Sequence, residues 1–333
     1  MTGRCLFFLM AFGVFWGGAP CLADASFLRI GTGTSSGTYF LIGGLLANAI
    51  SNPEGSRPCD KGGSCGVAGL VAVAQSTEGS MENINLLTQG QLESAIVQAD
   101  LAYYAFYGLG PFQKKGPSPH LRVISRLYAD VIHGVVRDKS SLRTLKDIKG
   151  RTIGMGEAFS GTAASLPVLL PYYGVSLKSF DRVFLKMDRA AESLEKGTLD
   201  GFFLVGGTPL AAISDLGARV PLRLLAMPFQ KGMDPTFYQP ATIPQNIYPE
   251  TNAVKTLAIP ALWVVTDTQK ASGVYAMTAS LWHPTTQAFL ANGHHQGKSV
   301  ILRRALEGVG IPLHAGAEQY YREKGLLDKE TIP

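Results

Sequence analysis

The sequence predicts an α/β protein built as two lobes around one shared cleft. A strand, a loop of glycine and hydroxyl residues, and a helix follow one another over residues 27–50. The same succession returns over residues 151–172. The chain, at 333 residues, is also long enough for two domains that each bury a core.

In the first unit, Phe27, Leu28 and Ile30 read as a short buried strand and the apolar run 39–50 as a helix. The stretch IGTGTSSGTY (residues 30–39) joins them. Gly31, Gly33 and Gly37 let the backbone turn sharply and approach a ligand. Thr34, Ser35, Ser36 and Thr38 supply donors beside the unpaired N–H groups of the helix start. That combination suits a carboxylate, a phosphate or another anion. An ordinary serine N-cap would explain one such loop equally well. The second unit, RTIGMG (151–156) followed by EAFSGT (157–162), favours two helix starts aimed at one small anion.

Charged residues make up 17% of the chain and the net charge is +5. Lys114 with Lys115, and Arg303 with Arg304, are only pairs, so nucleic-acid binding has little support. Residues 1–25 read as a cleaved export signal: Arg4, then an apolar run 5–16, then small residues ending in an A-x-A site at 23–25. Pro20 argues against a lipid anchor at Cys21. Export leaves Cys59 and Cys65, which flank a polar loop. A disulfide fits an oxidising compartment, and a metal site would need more ligands than the loop offers.

Further along, 67–74 reads as a strand. The hydroxyl-rich turn 75–83 opens a helix through Leu87, with Ser80 and Asn83 one helical turn apart. Residues 93–97 form a strand that delivers Gln98 and Asp100 at its carboxyl end, where clefts of open α/β sheets lie. Residues 121–128 and 131–136 read as two strands, and 138–150 as a helix-like connection. The second lobe continues with the helix from Thr162, a helix over 190–196, and a buried strand 202–205 ending in Gly206, Gly207 and Thr208. Pro209 can start a helix through Ile213. Residues 237–249 read as an irregular return, 254–265 as a strand, 274–281 as a helix, and further helices follow Ser299. Arg126 and Arg137 lie near the lobe crossing, each suited to a solvated surface role.

Taken together, LRIGTGTSSGTY (28–39), STEGSMEN (76–83), AIVQADLAYY (95–104), GMGEAFSGT (154–162), FFLVGGTP (202–209) and IPLHAGAEQYYR (311–322) resemble, in order, the TAXI-type substrate-binding proteins of TRAP transporters. The resemblance implies a type II periplasmic binding protein, two lobes joined by two hinge strands. It implies lobe 1 over 26–137 plus 246–333 and lobe 2 over 138–245. It implies a monomer that is no enzyme and needs no cofactor, and that delivers a small organic anion to TRAP membrane subunits driven by an ion gradient. Glutamate, 2-oxoglutarate and similar carboxylates are the implied ligands. The motifs map the site onto Thr34, Ser36, Thr38, Tyr39, Ser80, Asn83, Gln98, Ser160, Gly161, Thr162 and Gly207. None is an arginine, so a second carboxylate has no assigned partner.

Three rivals share parts of this pattern. Residues 33–37 match G-x-S-x-G with Ser35 central, as a serine hydrolase would, with His133 or His314 as base. The glycines give G-x-G-x-x-x-G, which departs from the dinucleotide fingerprint. His294 and His295 read as a solvated pair. A ligand-binding sensor module would share fold and cleft.

Overall fold

The structure, a computed structural model, describes residues 26–327. The export signal expected over 1–25 lies outside them. In chain order the elements are β1 (Ser26–Gly31), α1 (Thr38–Ile50), β2 (Ser51–Asn52), β3 (Val67–Ala68), β4 (Leu70–Gln75), α2 (Ser80–Thr88), β5 (Ser94–Gln98) and α3 (Ala99–Tyr107). The long β6 (Leu121–Arg137) follows, then β7 (Thr152–Gly154), α4 (Gly161–Leu169), β8 (Asp181–Val183), α5 (Met187–Lys196), β9 (Gly201–Gly206), α6 (Ala211–Gly217) and β10 (Leu222–Leu225). The chain returns through β11 (Gln239–Ile243) and β12 (Val254–Thr266), and ends with α7 (Ala271–Leu281), α8 (Pro284–Gly293) and α9 (Ala315–Glu323).

Ten strands join in one sheet, ordered β4-β1-β5-β12-β6-β9-β7-β8, with β10 beside β6 and β11 beside β12. β1 pairs in parallel with β4 and β5, and β7 in parallel with β8 and β9. Two strands, β6 and β12, serve both halves. β6 pairs with β12 from Leu121 to Val131, and from Val131 to Val136 it pairs with β9. β12 pairs with β11 up to Ala258 and with β5 from Ala261. These are the hinge strands of a two-lobed α/β fold.

Three apolar clusters fill the layers. One packs α1, α7, α8 and α9 against the β4-β1-β5-β12 face. Another packs α5 and α6 on β9. The third is continuous across the halves, with Ala102, Ala105 and Phe112 in the same cluster as Leu166 and Leu169.

Several local readings change. Residues 121–136 form one strand, because Ala129 and Asp130 stay extended between the two apolar runs. The 138–150 connection holds only a 3₁₀ turn, Leu145–Ile148. Its buried residues, Leu142, Leu145 and Ile148, recur every third position, the 3₁₀ period. The 67–74 strand splits at Gly69, whose φ is +74°. The return contains β11, which tolerates Pro240 because β11 pairs on one side only, with β12. The helix after Pro209 begins at Ala211 and runs past Ile213 to Gly217. Arg126 is buried rather than solvated, ion-paired to Glu307 across the chain.

Candidate functional site

The two glycine–hydroxyl loops wall one cavity. A cavity of about 70 Å³ lies between them, walled by Gly33, Thr34, Gly37, Thr38 and Tyr39 from the first loop. Gly79, Ser80 and Gln98 complete that side, and Gly156, Ser160, Gly161 and Thr162 form the other. The helices α1, α2, α4 and α5 all begin at this wall, at Thr38, Ser80, Gly161 and Met187. Among the described residues no side chain caps α1, α2 or α5; the Glu82 N–H in the first turn of α2 donates to the Phe159 carbonyl at 3.2 Å, and the N–H groups ahead of it lack an intrahelical acceptor. The aligned helix dipoles add positive potential at the same point.

Glycine is required where the backbones crowd. Gly79 has φ +120° and ψ −150°, a region open almost only to glycine. Its face looks at Gly161 and Ser160 of the opposite loop. Other contacts cross the cleft as well. The Phe159 N–H donates to Glu78 Oε2 at 2.8 Å, and Ser36 Oγ donates to Asp188 at 3.3 Å. Thr38 Oγ1 reaches the Gly207 carbonyl at 3.5 Å, and Gln98 Nε2 donates to Ser165 Oγ at 3.0 Å.

The expected residues divide by position. Thr34, Thr38, Tyr39, Ser80, Gln98, Ser160, Gly161 and Thr162 line the cavity. Ser160 also caps α4, its Oγ accepting from Ala163 N–H and donating to the Glu157 carbonyl. Thr162 Oγ1 accepts from Val205 N–H, and Ser80 Oγ from Gln98 N–H. Asn83 stands behind the wall. Its amide donates to the Thr32 and Ile96 carbonyls and its Oδ1 accepts from Thr77, which uses its polar atoms in tying β1, β5 and the 76–79 turn together. Ser36 sits at the rim on Asp188, and Gly207 lies against Thr38 and Gln296 just beyond the lining.

The sequence reading missed the acidic groups. Glu78 and Glu157 line the cavity, and among the described residues no lysine or arginine does. Burial and the nearby Glu78, Glu82 and Asp188 push the Glu157 carboxyl up, with Lys186 opposing. Both glutamates lie inside the motifs already singled out, so their position was visible although their role was not. Leu185, Met187, Leu204 and Leu210 add apolar wall, and nothing in the pattern marked them.

Two further carboxylates lie beneath. Asp100 is fully buried and accepts from Ser165 Oγ at 2.7 Å, Tyr238 OH at 3.0 Å and Leu101 N–H at 2.9 Å. Burial raises its pKa against these bonds. Asp130 sits on β6 one residue before β9 pairing begins, 1% exposed. The hydroxyls of Tyr39 and Tyr128 face it, yet among the described residues none of these groups completes a hydrogen bond of normal geometry. Burial pushes the Asp130 carboxyl up to about 7.

The hydrolase reading finds no base. Ser35 is exposed. His133 is buried, its Nε2 engaged with Tyr248 OH at 2.8 Å and near Thr208 Oγ1, and burial lowers its pKa to about 4. His314 caps α9 and bonds the Gln269 carbonyl.

The loop at Cys59 and Cys65 is closed by a disulfide. Among the described residues no helix is long and apolar enough to cross a membrane.

Comparison with known proteins agrees with this architecture. XAC2383 from Xanthomonas citri bound to ATP matches with a TM-score of 0.50 at 12% identity, over 90% of this chain and 95% of that one. The binding-protein component of an ABC phosphonate transporter from Pseudomonas aeruginosa matches with a TM-score of 0.50 at 11% identity, over 81% and 79%. The alkanesulfonate-binding protein SsuA from Xanthomonas axonopodis pv. citri bound to MOPS is 15% identical over 92% and 96%, with a TM-score of 0.47. At these identities the likeness to the first two is one of fold. The NMT1-like family model matches residues 30–325, and the chain belongs to that family.

Proposed function

We propose that this protein is an exported solute-binding subunit of a TRAP transporter, working outside the cytoplasm and without catalysis. Its lobes, 26–137 plus 246–333 and 138–245, close on a small organic anion and present it to the membrane subunits. One observation carries the reading: the starts of α1, α2, α4 and α5 converge on a hydroxyl-lined cavity between the halves of the sheet. Uncapped N–H groups and neutral hydroxyls hold a carboxylate without an ion pair, which permits release. A solved structure of similar fold, the binding-protein component of an ABC phosphonate transporter, supports anion capture in this fold.

Glu78 and Glu157 narrow the ligand. A second carboxylate beside them would meet like charge, with no lysine or arginine in the cavity wall and Lys186 alone nearby to offset it in part. The site therefore favours a single carboxylate that carries a donor or an ammonium group, such as glutamine or another neutral amino acid, over 2-oxoglutarate, C4 diacids and glutamate, whose second carboxylate meets the same charge.

A thermal-melt screen of protein stripped of ligand tests this. The panel holds amino acids, 2-oxoglutarate, C4 diacids, monocarboxylates, phosphate and sulfate. A ligand at 100 times its Kd adds about 2.7 kcal/mol. A selective upward shift with an amino acid is expected. A shift with phosphate or sulfate alone would replace the carboxylate reading, and a flat panel would reject the ligand class.

A further inference from the structure

We propose that Cys59, Cys65 and His283 form a binding site for a soft metal ion, Zn²⁺ in the first instance, once the Cys59–Cys65 disulfide is reduced. The cysteine loop alone offers two ligands, and the fold brings a third from the far end of the chain. One ligand atom from each residue lies within 4.8 Å of the other two. Tetrahedral zinc with Zn–S near 2.3 Å and Zn–N near 2.0–2.1 Å sets its ligands roughly 3.5–3.8 Å apart. Opening the S–S bond lets the sulfurs part to that spacing, and the imidazole needs only a small approach. Two thiolates and an imidazole are the donor set that zinc prefers over calcium or magnesium.

The surroundings allow the change. Cys59 is exposed, so a reductant reaches the bond, while Cys65 and His283 are half-buried. Gly62, in the left-handed region at φ +79°, gives the loop freedom between the cysteines. Cys65 also lines a surface groove of about 210 Å³ with Ser64, Thr285 and Phe289, beside the start of α8. The chemistry balances with a dithiol as reductant. It transfers two electrons and two protons to the disulfide and is itself oxidised, and the two new thiols release their protons as they take the metal.

His283 caps α8, its Nδ1 accepting from Thr285 N–H over a long 3.3 Å. Metal capture gives up this bond, because coordination at either nitrogen leaves Nδ1 unable to accept. In exchange the metal ties the 59–65 loop to α8, so the loop stays closed in both redox states. None of the three residues lines the interlobe cavity, so this site stands apart from the ligand reading.

The test titrates Zn²⁺ into the full chain against a chromogenic chelator, once oxidised and once reduced with a phosphine. One equivalent should bind to the reduced protein, and the oxidised protein should lose the competition. In the reduced state Cys59→Ser and His283→Asn should each weaken binding by about tenfold or more, since disturbing groups outside the ligand set already costs ~10–100-fold. Asparagine still caps α8, which separates a lost ligand from a lost cap. Equal binding by the oxidised protein, no binding by the reduced one, or full affinity in His283→Asn, the mark of adventitious chelation by two thiols, would each overturn the proposal.

Discussion

The Gln98 carboxamide oxygen stands where a Cβ on Gly161 would lie only 1.6 Å away. Gln98 ends β5 and Gly161 starts α4, so this contact sets how closely the two halves approach at the cavity. Gly161→Ala should hold the halves apart, with overpacking of about 1–3 kcal/mol falling on closure. Affinity in calorimetry should fall about tenfold or more while the ligand-free melting point changes little. Unchanged affinity would show that closure does not pass through this contact.

Thr38 and Ser160 both line the cavity but differ in what else they do. Ser160→Ala removes the α4 cap and should cost about 0.5–2 kcal/mol of stability along with affinity. Thr38→Ala makes no cap and should lower affinity alone. Denaturant melts with and without ligand separate the two, and equal melts for both variants would remove the distinction.

Asp130 makes stability depend on pH. Its carboxyl titrates near 7 when folded against a reference value of 3.8, so the folded chain holds the proton more tightly. The contribution is whole below about 3.8 and is lost as pH rises toward 7. Asp100 and Glu157, also raised, act in the same direction. Asp130→Asn should flatten the fall in melting point between about pH 4 and 7 and be at least as stable as the parent at pH 8. An unchanged slope would place the titration elsewhere.

Glu157→Gln tests the charge reading of the cavity. Removing the carboxylate should weaken a neutral amino-acid ligand and strengthen a dicarboxylate, each by roughly twofold to fivefold, as expected for one partly solvated charge pair. Parallel changes for both ligands would mean that Glu157 acts through shape.

Breaking the disulfide with paired Cys59→Ser and Cys65→Ser changes should cost about 2 kcal/mol, because the closed loop is short. Calorimetry should show a drop of a few degrees without loss of ligand binding.

Much of this protein is legible residue by residue. The alternation of apolar runs with glycine and hydroxyl loops determined an α/β fold, because strand ends and helix starts carry local signatures. Ser160, Gly161, Thr162 and the 33–39 loop could be nominated because orphan N–H groups at helix starts attract anions wherever they occur, and Ser160, Gly161, Thr162 and five residues of that loop line the cavity. The six motifs also resemble the TAXI-type proteins, while the family shown is the NMT1-like one. Pairing decided the rest. Whether 121–137 turns or runs straight depends on the partners β12 and β9, which lie far along the chain. Asn83 carries the spacing of a ligand residue, yet it spends its amide on Thr32 and Ile96, a fact held only in three dimensions. The acidity beneath the cavity, Asp100 and Asp130 among tyrosines, and the nearness of His283 to Cys59 and Cys65 arise the same way. Local chemistry is written along the chain, whereas burial and the meeting of distant side chains exist only after it folds.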